Sequence, residues 1–526
     1  MRVPLGTSIP YDLAATVSGN DWRRDIRWPV AQETLLEVTC GVLKRYLALC
    51  RGFEESERSV ALLAGHNLLS IVAYQVSTAV NLSAALAENI HLVGGSPLLQ
   101  FLTGDADDQT LPGDSERAYF TRNSSLRFPF LRRLARISSW TPPIQLAKAV
   151  IRPEQTAISH NALLCAAARS SGSVGFKHAE VIIEEARQRN VIKPHDMEAL
   201  STIIVGALME DIKLSPPIHD RLTALLKMEC ANWLSLAATD LAGLEERHDL
   251  PLDLWSGTGG NWSARAIGLE VLRRGGKVTR FSHGGKDGFL GTPEPLAFLE
   301  LCASSRYVLG TKGAAGIADQ QALRDAAAGR SDLDIDGSNG NPIFRQVPRM
   351  RSGKRGMRPR VVFCGNVLLG QRQIFPPLLP DVISLNFQLE IVEQLNDWPI
   401  ELVCKPHPEG YFINKPHPMA QIAPVLPESF EFFLDRADVL VFDWAESTPF
   451  WKSLCTDRPM VLLDLGLTKF SDAARDLLEK RCAIIKVDYD SQHRPIVPSE
   501  HLRELIFGLP ETVDSSNFRL LLAGDE

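Results

Sequence analysis

The second half of this chain repeats one unit: a short run of consecutive apolar residues, a turn, and then a segment with helical spacing. The runs are "RVVFCGN" (360–366), "IELVC" (400–404), "DVLVFD" (438–443) and "PMVLLD" (459–464), with helical patterns at about 384–396, 428–436 and 449–455 between and after them. A strand that is apolar at successive positions must be covered on both faces. Strands of this kind alternating with helices close as a parallel, doubly wound sheet. The same alternation occurs earlier, as "LPLDLWS", "GTGGN", "WSARAIGLEVLRRGG" and "KVTRFSHGG", followed by a further strand and helix start in "SSRYVLGTKGAAG". The expected fold is therefore α/β, with two Rossmann-like domains.

The flanking regions are read by the same rules. "QETLLEVTCGVLKRYLALC" has helical spacing; "SVALLAG" (59–65) reads as a strand, the next 23 residues as a helix and "IHLVGG" (90–95) as a strand. Residues 96–245 read as a mostly helical insertion, and the polar stretch from Gly329 to Arg360 as a linker. The expected organisation is an N-terminal domain over 1–340 with helical additions at about 1–58 and 96–245. A basic linker (341–359), a C-terminal domain (360–490) and a partly helical tail (491–526) follow.

Composition removes several classes of function. A formal charge of −7 gives no basic field for nucleic acid. The nine cysteines include no Cys-x-x-Cys pair and no zinc-like spacing, which fits a reducing compartment and no metal or cofactor. The first residues lack the sustained apolar core of a signal peptide. The most apolar stretch, 59–87, is interrupted by His66, Asn67, Gln75 and Asn81, whereas a membrane span needs about 20 largely unbroken apolar residues. A soluble, cytoplasmic protein is expected.

The unusual polar clusters all fall at the ends of expected strands, where open α/β sheets bind ligands. Lys405-Pro406-His407-Pro408 ends one strand, and its prolines preset the direction in which His407 is offered. A second "KPHP" at 415–418 does not follow a buried strand. In "FDWAESTPFWKSL", Asp443 ends a strand, Thr448 has an N-cap residue type and Pro449 fits the first helical position. Capping explains Thr448 and Pro449 but leaves Ser447, Asp443 and Glu446 for contact with a phosphate donor. "FSHGGKDGFLG" offers His283 or Asp287 as a base, beside Gly284 and Gly285, which let a ligand approach the backbone. Gly257, Gly259 and Gly260 of "SGTGGNWS" form a tight turn or a substrate loop; the string fits neither a Walker A loop nor the dinucleotide fingerprint. The basic run Arg345, Arg349, Arg351, Lys354, Arg355, Arg358 and Arg360 is a solvated connector or, as a sharper alternative, a peripheral contact with an anionic inner membrane.

Taken in order, strand–His-Gly, strand–Lys-Pro-His-Pro and strand–Asp-x-x-x-Ser-Thr resemble the inverting GT-B transferases of bacterial surface-glycan synthesis. The resemblance covers roughly residues 250 to 490 and is nearest to the CDP-glycerol glycerophosphotransferases and the Kdo- and sialyl-type capsule transferases. It implies two domains facing a cleft, with His407 assisting the departing nucleotide phosphate. Lys405, Ser447 and Thr448 would bind that phosphate, and His283 would be the base. Sialyl-type members use a pair of acids before a glycine; here Lys286 replaces the first acid of Lys286-Asp287-Gly288, so the identity of the base stays open. The implied partners are a CMP- or CDP-linked donor and a glycan or lipid-linked acceptor, with no metal. A nucleotide-sugar epimerase of the same shape and a non-catalytic scaffold of a glycan-assembly complex are the alternatives.

Overall fold

A computed structural model describes residues 8–13, 22–23, 26–94, 96–106, 129–189, 197–330, 332–349, 356–370 and 373–525. Two parallel sheets organise the chain. The first is built from β3 (Gln155–Ala157), β4 (Val174–Phe176), β5 (Asp253–Ser256), β6 (Lys277–Phe281), β7 (Arg306–Leu309) and β8 (Asp334–Gly337), in the spatial order β4-β3-β5-β6-β7-β8. The second contains β9 (Arg360–Cys364), β10 (Glu401–Lys405), β11 (Val439–Phe442), β12 (Met460–Asp464) and β13 (Ala483–Lys486), ordered β10-β9-β11-β12-β13. Every pairing in both is parallel. In each, the first strand lies inside and the chain changes side after the second. This produces a topological switch point at the carboxyl edge. Both units are Rossmann-like.

Four expectations are corrected. Residues 59–65 are not a strand but part of the 33-residue helix Glu55–Ala87. That helix is buried on most of its circumference, so its sequence shows no clear period to distinguish it from a buried strand. Gly65 does not break it: a Cβ there would lie 2.7 Å from the Tyr46 ring, so the glycine lets the helix Gln32–Gly52 approach closely. The strand near 90 exists as β2 (His91–Val93), but it pairs in parallel with β1 (Ser8–Pro10). The segment 96–245 is no insertion, because it contributes β3 and β4 to the first sheet; three-residue strands are too short to show alternation. Finally, the stretch read as linker contains edge strand β8 and the helical turn Pro342–Arg345.

Apolar packing joins the parts. One core runs from the N-terminal helices through the helix Trp262–Arg273 to the helix Asp381–Asn396 of the second unit. A second core packs Phe289, Tyr307 and Phe344 of the first unit with Phe442, Phe450 and Trp451 of the second. The C-terminal residues return to the first unit, where Leu522 O accepts from Asn341 N–H at 2.9 Å and Leu521 O from the Thr311 hydroxyl at 2.5 Å. Among the described residues, the helix Glu55–Ala87 is the one long and apolar enough to cross a membrane, and 72% of its apolar window is buried inside the protein.

Of the basic run, Arg351, Lys354 and Arg355 lie outside the described residues. The other four have internal partners. Arg345 donates to Asn339 O (2.7 Å), Arg349 to Ser516 Oγ (2.7 Å), Arg358 to Ile400 O (3.3 Å) and Arg360 to Glu401 Oε1 (2.7 Å). For these four the plain structural reading is favoured over a membrane contact.

Candidate functional site

In the second unit, Cys364 is in register with Lys405 on one side and Phe442 on the other. Gly365–Asn366, Pro406–His407 and Asp443–Trp444 therefore leave the sheet side by side, at its switch point. His407 is half-buried, and its Nδ1 accepts from the Glu409 N–H at 3.2 Å. That bond puts the neutral ring's proton on Nε2. Burial holds the imidazole below its usual pKa, against the pull of Glu409, so the ring presents a neutral N–H donor. Its edge meets Trp444, with ring centres 6.0 Å apart. Lys405, half-buried at the end of β10, has no ion pair among the described residues.

The second Lys-Pro-His-Pro differs. His417 is buried, packs 4.7 Å from the Phe412 ring centre and caps a short 3₁₀ turn by accepting from Met419 N–H at 3.3 Å. Burial lowers its pKa to about 4. It is a structural histidine.

Asp443 is only 2% exposed. Burial raises its carboxyl to about 7, although the Gln388 side chain (3.1 Å) and the Asn366 backbone N–H favour the charged form. Among the described residues its Oδ1 has no partner, and neither do Asn366 Nδ2 and Gln388 Oε1. Asp443 thus belongs to a buried polar knot under the switch point, not to the surface a phosphate would touch. Ser447 also needs correcting. It is Ser447, not Thr448, that caps the helix Thr448–Leu454, accepting from Phe450 N–H at 3.3 Å. The Thr448 side chain is half-exposed, and no partner for its hydroxyl is found among the described residues.

In the first unit, the "GTGG" turn wraps a carboxylate that sequence reasoning missed. Glu300 accepts from Gly259 N–H at 2.5 Å and from the Thr258 hydroxyl at 3.1 Å, and lies 3.8 Å from the buried Arg280 guanidinium. Burial raises its pKa, while Arg280 and then His283 pull it back. His283 is exposed and lies in the field of Glu300. A Cβ on Gly259 would fall 2.1 Å from Arg280 Nη1 and 2.3 Å from Leu299 O; one on Gly257 would fall 2.6 Å from the His160 backbone. Close packing, not substrate approach, requires these two glycines. Gly260 meets only Thr258 Oγ1 at 3.2 Å, and Gly284 meets nothing within 4 Å. We expect Gly259→Ala to lower stability by about 3 kcal/mol or more and Gly260→Ala to change it by about 0.5 kcal/mol or less in denaturant melts. A Gly259→Ala protein as stable as wild type would contradict this packing.

Asp287 is buried, and its Oδ2 accepts from Ser282 Oγ (2.5 Å) and Tyr307 OH (2.7 Å). These bonds hold the loop after β6 and leave His283 as the accessible base of the pair. The same loop reaches the second unit. Lys286 pairs with Glu446. Gly285 lies against Trp451, Gly291 N–H donates to Lys469 O (2.8 Å), and Ser471 N–H donates to Phe289 O (3.0 Å). Glu446, expected to face a donor phosphate, is instead a buried carboxylate held by Lys286 and by the Thr468 hydroxyl at 3.2 Å.

The carboxyl-end loops of the two sheets therefore meet. The loop carrying His283 touches the loop 443–447 that leads into the helix Thr448–Leu454, and Trp444 of that loop lies beside His407. The helix Glu55–Ala87 reaches both units. Its His66 is half-buried, with Nδ1 unpartnered among the described residues and a pKa lowered to about 3 by burial and then by Arg265 and Arg280; Ser70, one turn on, donates to Gln373 O at 2.7 Å. The sequence offered no signal for Glu300, Trp444 or His66 beyond their proximity to strand ends or an apolar run. A cavity of about 420 Å³ lies elsewhere, at the far end of the helix Trp262–Arg273, lined by Val60, Leu200, Leu241 and Arg273 among others. It includes no candidate residue. Among the described residues, no group of His, Cys, Asp or Glu could hold a metal ion. No protein-family model, curated protein or solved structure matches this chain.

Proposed function

We propose that the chain is a GT-B-type transferase that moves a sugar of the nonulosonate or Kdo type, or a polyol phosphate, from a cytidine-nucleotide donor to a surface-glycan acceptor. The observation that carries this reading is the meeting of the two switch-point edges through the loop 282–291. That loop carries the exposed His283 and contacts Glu446, two residues before Thr448. In this scheme His283 takes the acceptor's hydroxyl proton, and the nearby Glu300 carboxylate stabilises the imidazolium that forms. The acceptor oxygen bonds to the transferred group as its bond to the nucleotide phosphate breaks. That phosphate leaves already charged and needs hydrogen bonds more than a proton. The neutral His407 Nε2–H, Lys405 and the Thr448 hydroxyl supply them.

A thermal-shift screen against CMP, CDP and UDP and their sugar or glycerol conjugates tests the reading. A donor present at about 100 times its Kd adds about 2.7 kcal/mol to the native state, which raises the melting temperature by a few degrees. The absence of any shift at millimolar ligand would overturn the transferase and favour a non-catalytic scaffold. Release of free sugar without an acceptor would favour the epimerase.

A further inference from the structure

The Lys286–Glu446 pair has features that a simple clamp does not need. Glu446 is almost completely buried, with its side chain 2% exposed, whereas Lys286 is 27% exposed. Lys286 is therefore the more exposed member of the pair. The Lys286 ammonium has three donors and, among the described residues, one hydrogen-bond partner, Glu446. The neighbouring Asp287 already accepts from Ser282 and Tyr307. Glu446 keeps a hydrogen bond from Thr468 if the lysine departs. The pair also stands where the two carboxyl edges touch, one residue before Ser447 and two before Thr448.

We infer that Lys286 is a phosphate ligand held in reserve by Glu446: it pairs with the carboxylate in the empty crevice and swings to a phosphoryl oxygen of the donor when one binds. This rests on the transferase reading and deepens it, because it adds a cation from the first unit to a phosphate site otherwise made by the second. The long, flexible lysine stem suits a charge that must change partner.

The two members of the pair should have opposite effects, which a clamp cannot produce. In calorimetric titration with CDP, Lys286→Met is expected to raise the Kd about 10- to 100-fold, the range for losing a charge-assisted hydrogen bond. Glu446→Gln, which frees the lysine, is expected to lower it severalfold. Cytidine, which lacks the phosphates, should bind all three proteins alike. If Lys286→Met fails to fold, Glu446→Gln decides alone, with tighter CDP binding expected. Wild-type binding of CDP with an unchanged Kd in Lys286→Met, or weaker or equal binding in Glu446→Gln, would overturn the inference and leave the transferase reading standing. If the wild type binds neither CDP nor any other nucleotide tested, the transferase reading fails and this inference fails with it.

Discussion

Replacing His407 with alanine is expected to lower transfer by about 10² to 10⁴-fold, the usual contribution of one positioned proton-donating or hydrogen-bonding group. Stability should change little. The ring is half-buried, and its contacts are one hydrogen bond from the Glu409 backbone and an edge against Trp444. The other Lys-Pro-His-Pro provides the control. His417→Ala removes a buried ring and a cap, so it should destabilise the protein by about 1–3 kcal/mol while leaving turnover per folded molecule unchanged. Donor turnover and melting temperature measured on both variants separate the two histidines. Full activity in a folded His407→Ala protein would remove this residue from the mechanism.

The second large effect concerns pH. Asp443 is lifted from an ordinary 3.8 to about 7, chiefly by burial. Between those values the native state holds a proton that the unfolded chain has released. Stability from this group therefore falls as pH rises from about 4 to about 7 and levels off above, by as much as about 4 kcal/mol. Asp443→Asn keeps the shape and cannot ionise. It should match the wild type only below about pH 4, exceed it by about 1–2 kcal/mol at pH 5 and exceed it by about 2–4 kcal/mol at pH 8. His66 and His417 act in the opposite sense, because depressed histidines lose stability as pH falls below about 6.5. The difference between variant and wild type cancels their contribution. Urea titrations at pH 5, 6, 7 and 8 provide the measurement, and a difference that does not change with pH would refute the burial argument for Asp443.

The central strands of both sheets were legible in the sequence because strands covered on both faces leave unbroken apolar runs, as in β9, β11 and β12. Strands β3, β4 and β8 were not, because each is only three or four residues long and β4 and β8 lie at sheet edges. The helix Glu55–Ala87 was misread for a related reason: burial on nearly every side erases the period that distinguishes helix from strand. The strand-end positions of His283, His407 and Lys405 were legible. The cap was misplaced by one residue, because Pro449 occupies the second helical position, not the first. Glu300 and Trp444 were not foreseeable, since a carboxylate beyond a short helix and an aromatic after a strand each have common structural uses. Their importance comes from what folds onto them across more than 30 residues of chain.

The long helix Glu55–Ala87 finally bears on how this protein is made. Its burial depends largely on the helix Pro216–Glu245 and on residues of the second sheet's unit, all of which are translated later. At about 5–20 residues per second, the ribosome needs on the order of ten to thirty seconds to deliver the first of these partners. For that interval an apolar helix of bilayer-spanning length is outside the exit tunnel with only the helix Gln32–Gly52 among its main partners to cover it. Until those later partners arrive, the chain carries an apolar surface that its finished fold buries.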